Sequence, residues 1–117
     1  MDDPISNAVQ VGFDVWPDGE PRPLAVLPWE PEEMPLKFES SYDDLDYIQA
    51  ANIRAPGGWT FGLRRHRGSP MAGVAVYVVS DDAAMPEALG ALIDAVGLDQ
   101  AQLRWVSPLA FPGAWDQ

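Results

Sequence analysis

The run Val74-Ala75-Val76-Tyr77-Val78-Val79 constrains this chain most, because it is the longest continuous apolar stretch in the sequence. It is rich in β-branched residues, which favour a pleated, well-packed surface. A strand without polar alternation is one buried on both faces, so residues 73–79 predict a central strand. The run is also far too short to cross a membrane. Just downstream, Leu89, Leu92, Ile93 and Val96 recur at helical spacing. Pro86 suits a first helical turn, Gly97 suits the left-handed residue that stops a helix, and Leu98 is placed for the apolar contact that accompanies such a stop. A helix over 86–96 follows from these signals.

Upstream, Val9, Val11, Phe13 and Val15 alternate with Gln10, Gly12, Asp14 and Trp16, the period of a half-buried strand. Pro17-Asp18-Gly19-Glu20 reads as a turn, and Leu24–Leu27 as a second strand completing a hairpin with the first. Pro21, Pro23 and Pro28 flank that second strand and argue for an edge position, since proline cannot donate to a ladder. Residues 28–40 carry three prolines and four glutamates and predict an exposed connection, with a short strand near Leu36–Phe38. Ser41 as N-cap and Asp43 and Asp44 in a first turn predict a helix over 42–53 that presents Tyr42, Leu45, Ile48 and Asn52 on one face. Trp59, Phe61 and Leu63 alternate as another strand, hairpin-linked to residues 73–79. Leu103, Trp105 and Ser107 suggest a last one. The expectation is a single α+β domain over residues 1–117. Its mostly antiparallel sheet of about five strands carries two helices packed on one face, in the order ββαββαβ.

Charge is the strongest global signal. Eighteen acids against seven bases leave a formal net charge of −11 in 117 residues. Residues 1–50 hold twelve acids and two bases, a balance of −10, while residues 51–117 hold six acids and five bases, a balance of −1. Solubility needs a net charge of only about 2–8. The asymmetry therefore suggests an interaction surface that seeks a basic partner and repels phosphate and anionic lipid. No cysteine is present, which excludes disulfides and thiolate metal sites. Met1-Asp2-Asp3-Pro4 lacks the basic and apolar regions of a signal peptide, so the expected location is the cytoplasm.

Catalytic signatures are sparse. The single histidine, His66, stands in Arg64-Arg65-His66-Arg67, without a cysteine or a Gly-x-Ser-x-Gly elbow to serve as nucleophile. Asp43, Asp44 and Asp46, and separately Asp81 and Asp82, cluster without the spacing of a calcium loop, and a helix start accounts for both groups. The glycines match no phosphate-binding loop. The Arg64–Arg67 patch lies in a strongly negative molecule, which argues against nucleic-acid binding and for pairing with the chain's own acids. No metal or cofactor is expected.

Of the five tryptophans, Trp59 and Trp105 read as core and sheet packing. Trp16, on the polar phase of its strand, and Trp29, in the acidic connection, are candidates for an interface. The leading expectation is a non-enzymatic inhibitor, of the immunity-protein or nucleic-acid-mimic kind, whose acidic surface covers a basic functional site on a toxin, nuclease or similar protein. The contact is expected at Trp29, Glu30, Glu32, Glu33, Asp43, Asp44 and Asp46. An acidic chaperone or adaptor for a secreted or multidomain partner is the second reading. A small enzyme or ligand binder using His66 and a carboxylate is the third.

Overall fold

Seven strands and one α-helix make up the computed structural model, which describes residues 8–12, 14–42, 47–70 and 72–111. The elements are β1 (Val9–Val11), β2 (Arg22–Val26), β3 (Glu39–Tyr42), β4 (Tyr47–Arg54), β5 (Thr60–His66), β6 (Ala75–Val78), α1 (Met85–Val96) and β7 (Trp105–Val106). All strand pairs are antiparallel, and the sheet runs β1-β4-β5-β6-β2-β7. β3 also pairs with β4, on the edge that β1 occupies further along. The Gln10 side chain joins these two edge pieces: its Nε2 donates to the Lys37 carbonyl at 2.7 Å, and its Oε1 accepts from the Lys37 N–H at 3.1 Å.

The apolar pattern decides which face is covered. Phe61 lies opposite Val78 and Ile53, and Leu63 lies opposite Val76 and Ala51, so these side chains share one face. They are almost fully buried with Met85, Leu89, Leu92 and Val96 of α1. A 3₁₀ turn, Asp82–Ala84, leads into the helix and is capped by Asp81, whose carboxylate accepts from the Ala84 N–H at 2.9 Å. The helix ends at Gly97, with φ 70° and ψ 27°, a conformation that glycine adopts at no steric cost. The residues between, Asn52, Gly62, Arg64 and Tyr77, point to the opposite face. Among the described residues no helix is long and apolar enough to cross a membrane.

Within residues 73–79 the strand covers Ala75–Val78 and takes the predicted central place, between β5 and β2, although Ala75 and Tyr77 are only half-buried on the open face; the helix over 85–96 forms as predicted. Several expectations are corrected. The helix over 42–53 does not form, and the sheet has seven strands: Tyr42 pairs with Tyr47, making β3 and β4 a hairpin, and β4 is the sheet's longest strand at eight residues. Residues 50–53 are buried on both faces of the sheet, which removes the alternation that marks a strand.

The hairpin between β1 and β2 is also absent. β1 stops at Gly12 and binds β4, and the chain then crosses the open face to reach β2. β2, finally, is not an edge strand, because β6 and β7 flank it. Its Pro23 is tolerated because β7 reaches only Ala25 and Val26, and the ladder with β6 shifts register between Pro23 and Ala25. The last strand is inverted in phase as well. Val106 joins the core, and Trp105 is half-buried along the open face.

Candidate functional site

The expected contact residues fall into two places. After β2, the chain turns through Pro31–Glu33, a single 3₁₀ turn that buries Pro31. Trp29 is half-buried there against the main core, so much of its ring is already packed. Glu30 is engaged internally. Its Oε1 accepts from Arg65 Nε at 2.7 Å and its Oε2 accepts from the Gly73 N–H at 2.9 Å. The Arg65 hydrogen bond holds the Glu30 carboxyl below its ordinary pKa, against a smaller opposing effect of burial. Arg67 lies 3.8 Å from Glu32 and 4.0 Å from Glu30, while Glu33 accepts from the Glu30 N–H at 2.8 Å. Two of the three clustered arginines thus pair with the chain's own acids. Glu32 and Glu33 remain exposed to solvent.

Asp43, Asp44 and Asp46 lie outside the described residues, but the register fixes what they connect. Tyr42 and Tyr47 are cross-strand partners, so residues 43–46 link the two ends of the β3–β4 hairpin. Their rings meet at 4.8 Å between centroids with planes inclined by 43°. Tyr47 also donates to Ser40 Oγ at 2.8 Å. Tyr42 is 82% exposed, and every residue of β3 is exposed. A helical reading directs Tyr42 inward, and the hairpin turns it to solvent. The signal that could have revealed this is Glu39-Ser40-Ser41, three exposed polar residues leading straight into the tyrosine.

The open face of the sheet carries a third feature, around Arg64. Trp16 packs over Gly62, with its Cη2 and Cζ2 atoms where a β-carbon would project. Its other neighbour is the Arg64 guanidinium, 5.3 Å from the ring centroid. Arg64 Nη1 donates to Asn52 Oδ1 at 2.7 Å and to the Leu63 carbonyl at 3.0 Å. Asn52, itself fully buried, donates to the Val15 carbonyl at 2.9 Å and so pins the crossing segment down. Burial pulls the pKa of Arg64 down, because desolvation disfavours its charged form.

Two recesses flank this arginine. One, of about 460 Å³, is lined by Trp16, Glu20, Ile48, Arg64, His66 and Tyr77, and so brings His66 to the same recess as a carboxylate. The other, of about 320 Å³, extends towards Trp105. Among the described residues no group of three or more His, Asp or Glu side chains is placed to hold a metal ion. No known protein family, curated protein or solved structure matches the chain.

Proposed function

We propose that this protein is a stoichiometric inhibitor that binds a basic protein, such as a toxin or nuclease, and covers its functional site. The observation that carries the reading is Tyr42, 82% exposed at the end of a hairpin whose connection reads Asp43-Asp44-Leu45-Asp46. An exposed aromatic side chain followed directly in sequence by three aspartates within four residues is the composition of an interface anchor for a positively charged surface. The ring pairing with Tyr47 restrains Tyr42 before contact, which lowers the ordering cost of binding. Glu32 and Glu33 extend the acidic surface, whereas Glu30 serves the internal bridge to Arg65. On this reading Tyr42, rather than the half-buried Trp29, is the apolar anchor.

The test is kinetic, and the product of an adjacent gene is the first partner to try, because inhibitors of this kind are commonly encoded beside their targets. The complex should abolish the partner's activity, and association should slow steeply with salt as steering is screened beyond about 8 Å at physiological ionic strength. Tyr42→Ala should weaken binding by about 2 kcal/mol or more. Changing Asp43, Asp44 and Asp46 to Asn should mainly slow association. Association rates that stay flat with salt, together with unchanged affinity in Tyr42→Ala, would refute the proposal. A partner that binds yet keeps full activity would favour an acidic chaperone or adaptor instead.

A further inference from the structure

The hydrogen-bond phase of β4 decides what its edge partner β3 presents to solvent. In an antiparallel ladder the N–H and C=O of one residue point to the same side, and the side alternates along the strand. The Tyr47 carbonyl accepts from the Arg67 N–H at 3.0 Å, and the Ala55 N–H donates to the Trp59 carbonyl at 2.8 Å. Both contacts lie on the β5 side, and the β4–β5 register runs unbroken from Ile48 to Arg54. Odd-numbered residues of β4 therefore bond to β5, and Ile48 and Ala50 bond to β3. Their partners are Ser41 and Glu39, so the backbone groups of Ser40 and Tyr42 point the other way, to the sheet edge. Among the described residues no strand pairs with that side of β3. All four residues of β3 are exposed, and none is a proline or a lysine, the residues that commonly guard an edge.

We infer that the edge of β3 takes up an extended, basic segment of the partner as an added strand, with ladder hydrogen bonds at Ser40 and Tyr42. This rests on the basic partner proposed above and says how that partner is held. Charge selects the occupant. Glu39 stands on β3 itself, three of the four residues that connect β3 to β4 are aspartates, and residues 1–50 carry a balance of −10. A second copy of this chain would bring the same charge to the same edge, so like-charge repulsion opposes self-pairing there. Strand addition draws affinity from the main chain and specificity from side chains that alternate along it. Tyr42, exposed on β3, favours an aromatic or β-branched neighbour across the new ladder. The segment that fits therefore alternates lysine or arginine with β-branched or aromatic residues.

A blocked octapeptide of alternating lysine and valine is the probe, with the glutamate–valine peptide as its charge-reversed control. Titration should shift the amide resonances of Ser40 and Tyr42 and slow their hydrogen exchange, while the acidic peptide binds at least about tenfold more weakly. Ser40→Pro deletes one outward N–H. It should weaken the basic peptide by about fivefold or more, the loss of one backbone hydrogen bond, while the fold tolerates it as an edge proline. Ser40→Ala keeps the N–H and should bind like wild type. Ser41→Pro deletes a donor to β4 and should lower the thermal midpoint by about 5 °C or more. Shifts confined to other residues, equal binding of the acidic peptide, full affinity in Ser40→Pro, or an equal fall in midpoint in both proline variants would each overturn the inference. So would protection of Ser40 and Tyr42 that grows with protein concentration in the absence of peptide, the mark of a second copy at the edge. With the partner itself, a Ser40→Pro variant that binds and inhibits like wild type removes the added strand and leaves the inhibitor standing. A peptide that docks at β3 of a protein that inhibits nothing does the reverse.

Discussion

Glu30→Gln isolates the ion pair that anchors the acidic connection to the sheet. The substitution keeps the shape of the side chain and removes its charge, leaving Arg65 beside a neutral amide. The side chains of Arg65 and Glu30 are 11% and 25% exposed, and their contact is 2.7 Å. A charge-assisted hydrogen bond contributes about 1.5–3 kcal/mol, and breaking a fully buried pair costs about 3–5 kcal/mol. Because Glu30 keeps some contact with water, the expected loss is about 2–3 kcal/mol. For a chain of this size that corresponds to a fall of roughly 10 °C in melting temperature.

The pH dependence gives the sharper check. Arg65 holds the folded-state pKa of Glu30 below its ordinary value of 4.5. The contribution is therefore complete above that value and is lost as pH falls through the depressed folded-state pKa. Glutamine does not titrate, so the stability gap between wild type and variant should be full at neutral pH and shrink as pH falls below 4.5 and through the depressed folded-state pKa. Urea denaturation or calorimetric melting across that range measures it. A gap that persists unchanged at low pH, or a neutral-pH loss under about 0.5 kcal/mol, would refute the assignment of Glu30 as an internal anchor.

Two further substitutions test the two faces of the sheet. Gly62→Ala puts a methyl group where the Trp16 ring lies, so it should displace the ring, cost about 1–3 kcal/mol and red-shift tryptophan emission. Unchanged stability and emission would mean that the ring does not pack there. Leu92→Ala, at a fully buried position on α1, should cost about 2–5 kcal/mol in denaturant unfolding, and a loss under about 1 kcal/mol would argue that the helix does not seal the core.

Elements whose signals were local were readable in the sequence, and those set by distant partners were not. β6 and α1 carry uninterrupted patterns of their own, and Gly97 marks the helix end without help from elsewhere. β4 misleads because Ala50, Ala51, Asn52 and Ile53 are buried by layers on both faces, which erases alternation, and alanine favours helix when nothing else intervenes. Ser41, Asp43 and Asp44 imitate a helix start, although Ser41 sits in β3. The acidic half was legible from composition alone. That Glu30 is committed to Arg65 was not, because the two are 35 residues apart and only the fold joins them. The same holds for Trp16: the alternation predicts a strand through it with the valines buried, but β1 ends at Val11 with Val9 exposed, Trp16 lies beyond it, and its seat over Gly62 depends on β4 and β5 meeting in register.

Strand β2 has a consequence for biogenesis. Its two neighbours, β6 and β7, come much later in the chain, and the second is complete only at Val106. Eighty residues separate Val26 from that point (106 − 26), so at synthesis rates of about 5–20 residues per second β2 waits roughly 4–16 s for its last neighbour. Throughout that interval its Leu24-Ala25-Val26 core stretch is a nascent strand without its full set of ladder partners. The prolines at positions 21, 23 and 28 surround the same stretch and are poor templates for pairing with another chain. They act as a guard for the ribosome-bound chain, protecting a segment that the finished sheet later encloses.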